Sequence, residues 1–398
     1  MSGKARRFAL RGADARGAAR LATDATAGLT DLVEAVHARI LRRPGSAAAS
    51  ARTGGLTGQV YQAVRGVTRV AGGSLDALLG WLPRSDPDEP SPSREALLAA
   101  LNGVLGDHLA ATGNPLATTM AWRRGGRPLR LEAADLPDVG GRLLVLIHGL
   151  CMNDLQWLRE GHDHGAALAR DLGYTPVYLH YNSGLHVSTN GQALAQQLEC
   201  LLDQWPWPVQ RLVLLGHSMG GLLARSALHQ GALAGQRWVA RVDDLVCLGT
   251  PHHGAPLERA GHGIDLLLGA MPYAAPFARL GKLRSAGITD LRHGSLLDAD
   301  WAGRDRFARG ADTRQPVPLP AQVRCHALAA CVGPRSDRVK DRLIGDGLVP
   351  LDSALGRHRD PAHTLGFAAD RQWVGHGIGH LALLNHPEVY AQLRKRLA

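Results

Sequence analysis

Ser218 stands in the run LLGHSMGG (214–221), where three glycines surround one histidine and one serine. The pattern is G-x-S-x-G, with Gly216 and Gly220 at its ends. An apolar run (211–215) precedes it and a helix-forming stretch (219–230) follows. A serine on such a strand–turn–helix junction is held in a strained backbone conformation and lifted clear of the sheet's carboxyl edge. Gly216 and Gly220 must lack side chains so that strand and helix approach closely, with His217 completing the turn. The helix N-terminus aims free N–H groups at the site, where they favour developing negative charge. That is the equipment for nucleophilic attack on an acyl carbon.

A serine hydroxyl needs a base, and the base needs a partner that fixes its tautomer. For a serine on this junction the expected chain order is Ser, acid, His. The acid is sought in IGDGLVPLDSAL (344–355), where Asp346 lies between two glycines, suiting a tight exposed turn. Asp352, Asp341 and Asp337 are rivals, and Asp352 also suits an N-cap role. The base is sought before the last helix, in VGHGIGHLALLNHPEVYAQLRKRL (374–397), which offers His376, His380 and His386. His386 precedes Pro387 and suits a cap. His380 is favoured, because the apolar turn after it can anchor it on the sheet; His376 is second. A tetrahedral oxyanion also needs donors. One is the Met219 N–H. The other is expected from LIHGLCMND (146–154), where Gly149 permits the turn and the Leu150 N–H faces Ser218. His148 precedes the serine in the chain, so its expected task is to shape this loop.

Five short apolar runs must position these groups: RLLVLIHG (142–149), TPVYLHYN (175–182), RLVLLGHS (211–218), DLVCLGTP (244–251) and VRCHALAACVG (323–333). Helical stretches such as 188–203 and 219–230 lie between them. This alternation predicts an α/β fold with a parallel sheet covered on both faces and right-handed crossovers. The N-terminal third reads differently. Residues 17–43 and 54–82 each place apolar side chains at helical steps of three and four. PRSDPDEPSPSR (83–94) reads as a proline-rich linker, and a third helix follows with Ser93 as its cap and Gly113 as its stop. The expected division is a helical region 1–82, a linker 83–94, a helical lead-in 95–127 and the main domain 128–398. The helical region is either a layer on the main domain or a dock for a membrane, lipid granule or partner.

The formal net charge is +10 over 398 residues, and the arginines behind it occur along the whole chain. With no nucleic-acid motif beside it, this charge reads as compositional bias and implies no nucleic-acid partner. Five cysteines, none at zinc-ligand spacing, read as free thiols in a reducing compartment. No metal is expected at His252 and His253, which read as pocket floor. Neither a secretory signal nor a membrane-spanning run is found, which points to a cytoplasmic protein, or one held peripherally at a membrane through its N-terminal helices.

The motifs LIHGL, GHSMGG, LGTPHHG, GDGLVP and GHLALL, in this order, resemble α/β-hydrolase lipases and esterases. Within these the chain is similar to the bacterial relatives of GPI inositol-deacylase-type lipases, over about residues 128–398. The resemblance implies the α/β-hydrolase fold, with Ser218 as nucleophile, Asp346 as acid and His380 as base. It implies Leu150 and Met219 as oxyanion donors. Some seventy residues separate TPHHG from the run at 323, too many for a plain connection. A lid or cap insertion is expected at about 255–320, centred on the apolar stretch 263–280. The expected activity is hydrolysis of a carboxylic ester or lipid through an acyl-enzyme, with no cofactor. An acyltransferase or thioesterase using the same residues is the alternative, and a non-catalytic lipid- or granule-binding scaffold the second.

Overall fold

The computed structural model describes residues 12–40, 53, 55–80, 91–131, 140–255, 284–306, 311–334 and 344–398. They group into two compact units, one formed by residues up to Arg94 with Leu109–Ala117, the other by Glu95–His108 with Thr118–Ala398. Residues 83–90 of the expected linker, the stretch 263–280, Asp337 and Asp341 lie outside the described residues.

All three expected N-terminal helices form: α1 (Gly12–Ile40), α2 (Gly55–Gly80) and α3 (Pro92–Ala111). Pro92 rather than Ser93 marks the start of α3, because proline at a first helical position has its φ preset and needs no N–H partner. Gly113 takes φ +59° and ends α3, with the Asn114 N–H turned back to the Leu109 carbonyl at 2.8 Å.

The second unit is built on eight strands: β1 (Ala121–Arg124), β2 (Arg127–Pro128), β3 (Arg142–Ile147), β4 (Thr175–His180), β5 (Arg211–His217), β6 (Val242–Leu248), β7 (Arg324–Cys331) and β8 (Gln372–His376). Their order is β2-β1-β4-β3-β5-β6-β7-β8. Strands β3 to β8 pair in parallel, and β1 joins β4 antiparallel. Five of these strands are the apolar runs of the sequence. Leu143–Ile147 and Leu212–Leu215 are fully buried, as expected of central parallel strands covered on both faces. Helices α4 (His164–Leu172), α5 (Val187–Gln204) and α6 (Met219–Leu233) fill the crossovers; α7 (Ala286–Asp290) and α8 (Leu351–Ala354) are single turns, and α9 (Pro387–Leu397) comes last. α5 packs on α6, while α9 packs on α4. Right-handed connections place these two groups on opposite faces of the sheet.

The sequence reading passed over β1, β2 and β8. β1 and β2 form a hairpin whose two-residue turn, Gly125-Gly126, has both φ angles positive, at 60° and 77°. Its strands are short and carry three arginines, so no apolar run announces them. β8 is an edge strand of half-buried residues, which needs less apolar character than a central one.

Candidate active site

Ser218 follows β5 directly and precedes α6, at φ +54° and ψ −124°. A non-glycine residue in that region is strained, and the surroundings must hold it there. The Ser218 N–H donates to the Leu248 carbonyl at 2.8 Å, tying the turn to the end of β6. The glycines behave as their spacing requires. A Cβ on Gly220 would lie 2.2 Å from the Ile147 carbonyl oxygen, and one on Gly216 would lie 2.5 Å from the Gly221 amide.

Asp346 and His380, thirty-four residues apart, meet through a hydrogen bond of 2.7 Å from His380 Nδ1 to Asp346 Oδ2. Both side chains are buried. The other Asp346 oxygen accepts the Leu348 and Val349 amides at 3.0 and 2.8 Å, and the His380 N–H donates to the Asp346 carbonyl at 2.9 Å. With Nδ1 donating to the carboxylate, Nε2 carries the lone pair. This pair lies against the same strand end that holds Ser218. A Cβ on Gly249, the residue after Leu248, would sit 3.0 Å from Asp346 Oδ2 and 3.3 Å from His380 Nδ1. His217 closes the junction from the other side, its Nε2 donating to the His380 carbonyl at 3.2 Å. Ser218 Oγ makes no hydrogen bond among the described residues. Such contacts are often long before substrate binds and tighten in the Michaelis complex.

The rival residues go elsewhere. It is His380, not His376, that pairs with Asp346; His376 ends β8 in register with Cys331. His386 caps α9, accepting the Glu388 amide. Asp352 lies in the first turn of α8, whose cap is Pro350. His252 is buried beside Arg225, and no group of three or more metal-ligating side chains occurs among the described residues.

The loop after β3 reaches Ser218 from the opposite side, since a Cβ on Gly149 would lie 3.1 Å from Ser218 Cβ. The Leu150 N–H has no acceptor among the described residues. The Met219 N–H is the first of α6, where a helix supplies no acceptor of its own. Within this loop His148 Nδ1 donates to the Gly149 carbonyl at 2.9 Å. The sequence reading missed the clamp around it. Tyr181 stacks on the His148 ring at 4.3 Å between centroids and donates its hydroxyl to the His148 carbonyl at 2.8 Å. Ser183 Oγ accepts the Cys151 amide at 3.0 Å, holding Cys151 at φ +57°. His164 was missed as well; it donates from Nε2 to the Leu383 carbonyl, at 3.0 Å, in the turn that carries His380. Nothing in YNSG or HGAAL announces these roles, because each depends on which strand ends lie side by side.

Three histidines surround Ser218, and their environments separate them. Burial pushes His148 down to about 3. Burial, and then the charge of His380, holds His217 well below the usual imidazole range. Both therefore stay neutral at ordinary pH. Of the three, His380 has the bonded carboxylate that an imidazolium needs.

A mostly parallel eight-stranded sheet with helices on both faces, and a serine on the sharp β5–α6 turn, define the class: this is an α/β-hydrolase fold. Residues 138–312 match the family model described as the PGAP1-like alpha/beta domain, a stretch that includes Ser218, Leu150 and Met219 but ends before Asp346 and His380. Among solved structures, the mature lipase BlEst2 of Bacillus licheniformis is similar over 65% of this chain and 92% of its own, at 20% identity and a TM-score of 0.42. The Pyrococcus furiosus esterase Pf2001 is similar over 65% of this chain and 81% of its own, at 14% identity and a TM-score of 0.37. Phospholipase PlaB from Legionella pneumophila is similar over 54% of this chain and 44% of its own, at 17% identity and a TM-score of 0.34. A search of the curated proteins found no match. Among the described residues no helix is long and apolar enough to cross a membrane.

Proposed function

We propose that the protein is a serine carboxylic-ester hydrolase acting on ester or lipid substrates through an acyl-enzyme. Ser218 Oγ attacks the ester carbonyl as its proton passes to His380 Nε2. Asp346 steadies the imidazolium through Nδ1. The Leu150 and Met219 amides receive the oxyanion. The proton then moves from His380 to the leaving alcohol, and water releases the acyl group by the same route. The observation that carries this reading is the Asp346–His380 pair, set against the strand end that holds a strained, buried turn serine. No disulfide joins any of the five cysteines, which suits a reducing, cytoplasmic setting.

The test is covalent. A fluorophosphonate probe labels the wild type at Ser218, and Ser218→Ala loses both the label and the turnover of p-nitrophenyl esters while keeping its melting temperature. Undiminished turnover by the folded alanine variant removes the mechanism. Labelling without ester turnover redirects it to another acceptor or leaving group, as in an acyltransferase or thioesterase. No labelling at all leaves a scaffold.

A further inference from the structure

Arg225 is a buried cation whose bonds bring it no opposite charge. It stands on α6, seven residues after Ser218, and is 5% exposed. Its Nη1 donates to His252 Nδ1 at 3.2 Å and its Nη2 to the Val317 carbonyl at 2.6 Å. Its Nε is buried and has no hydrogen-bond partner among the described residues. Burial lowers the guanidinium to about 10, which leaves it charged at neutral pH. A guanidinium can only donate, so His252 accepts through Nδ1 and carries its ring proton on Nε2. That Nε2 is also buried without a partner among the described residues. Burial, and then the charge of Arg225, holds His252 well below the usual imidazole range, so the ring is neutral.

The carboxylates of this region are spent elsewhere. Asp312 takes Arg314 through two bonds, at 2.9 and 2.8 Å. Asp300 accepts the Leu296, Leu297 and Gln315 amides at 2.9, 3.0 and 3.1 Å. The Cys247 and Cys325 thiols act on the guanidinium, but burial pushes them up to about 12 and 11, so they stay neutral. Arg314 acts on it too, with the same sign. A buried charge left without a partner is far more costly than an unpaired neutral group.

Arg225, His252, Arg314 and Asp300 line a cavity of about 20 Å³, with the exposed Gln315 in its wall. A water needs roughly 10–15 Å³ of such space. The cavity therefore takes one guest the size of a single heavy atom and is too small for sulfate, phosphate or an organic acid. A water would fill the space and leave the charge uncompensated. A monatomic anion does both tasks. We propose that a chloride-sized monovalent anion sits in this cavity against the Arg225 guanidinium as its counter-ion, and ties α6 to the loop after β6 that carries His252. The proposal does not depend on the ester-hydrolase reading.

The test is the melting temperature of the full chain as sodium chloride replaces sodium gluconate at constant ionic strength, gluconate being too large for the cavity. The wild type gains about 2 °C for each tenfold rise in chloride above the dissociation constant. Arg225→Met, which has no charge to neutralise, gives a flat series. Crystals of the wild type soaked in sodium bromide show an anomalous peak against the Arg225 guanidinium. If Arg225→Met does not fold, the wild-type series and the bromide position decide by themselves. A flat wild-type series with no bromide peak means that water fills the cavity, and overturns the proposal. A bromide peak with a flat wild-type series marks an adventitious ion only and overturns it as well. So does a chloride dependence that persists in Arg225→Met, or a bromide bound elsewhere and not at Arg225.

Discussion

Asp346→Asn isolates the electrostatic task proposed for this carboxylate. One Asp346 oxygen already accepts the Leu348 and Val349 amides, at 3.0 and 2.8 Å. In the variant the asparagine oxygen keeps those bonds, which turns its NH2 group toward His380 Nδ1. Nδ1 must then accept, so the ring proton moves to Nε2 and faces the serine, the wrong tautomer for a base. The lost attraction can be sized. The native contact is 2.7 Å between nitrogen and oxygen, with both side chains buried. For charge centres roughly 4 Å apart at an effective dielectric near 20, the attraction is about 4 kcal/mol. At about 1.36 kcal/mol per tenfold, that is roughly 10³ in rate, and the tautomer shift brings the expected loss in kcat to roughly 10³–10⁴. Steady-state hydrolysis of p-nitrophenyl butyrate measures it, with KM little changed because neither group holds the ground-state ester. A folded Asp346→Asn protein within tenfold of wild-type kcat would refute the assignment of this pair.

Three further expectations follow from the geometry. Tyr181→Phe removes the hydroxyl that donates to the His148 carbonyl; a net hydrogen bond of about 1 kcal/mol predicts a five- to tenfold fall in kcat with KM little changed. A change in KM alone would place Tyr181 in ground-state binding. Gly220→Ala forces a methyl within 2.2 Å of the Ile147 carbonyl oxygen, and overpacking of about 1–3 kcal/mol should lower the melting temperature measurably by calorimetry. Stability should also fall as pH drops below 6.5, because burial lowers His148 to about 3 and His164 and His253 to about 4 from an ordinary 6.5. The unfolded chain takes up these protons first, so the stabilisation is complete above pH 6.5 and is lost progressively on the way down to the folded values, at up to about 1.4 kcal/mol per histidine per pH unit. Melting temperatures between pH 6.5 and 5, above the range where carboxylates titrate, read this directly. A flat profile there contradicts the burial of these rings in the native state.

Much of the site was legible because its logic is local. Strand, turn and nucleophile occupy eight consecutive residues, and the crowding of Gly216 and Gly220 follows from the turn they make. Asp346 and His380 were legible only as candidates among rivals. Their chain order was readable, but their contact depends on β7 and β8 lying beside β6. The hairpin β1–β2 and the edge strand β8 escaped notice because short, charged or half-buried strands carry no apolar run.

The amino-acid sequence by itself determined the alternation of buried strands and helices, the strained serine and the helical character of residues 12–40 and 55–80, since each arises from neighbours a few positions apart. Tertiary structure alone decided that Tyr181 and Ser183 clamp the loop bearing Leu150, that His164 supports the turn of His380, and that Arg16 and Arg20 of α1 pair with Asp76 of α2 while Arg65 of α2 pairs with Asp31 and Glu34 of α1. Helical and strand periodicity tells which side chains share a face. Which face finds a partner depends on what the rest of the chain brings against it, and no short stretch of sequence contains that.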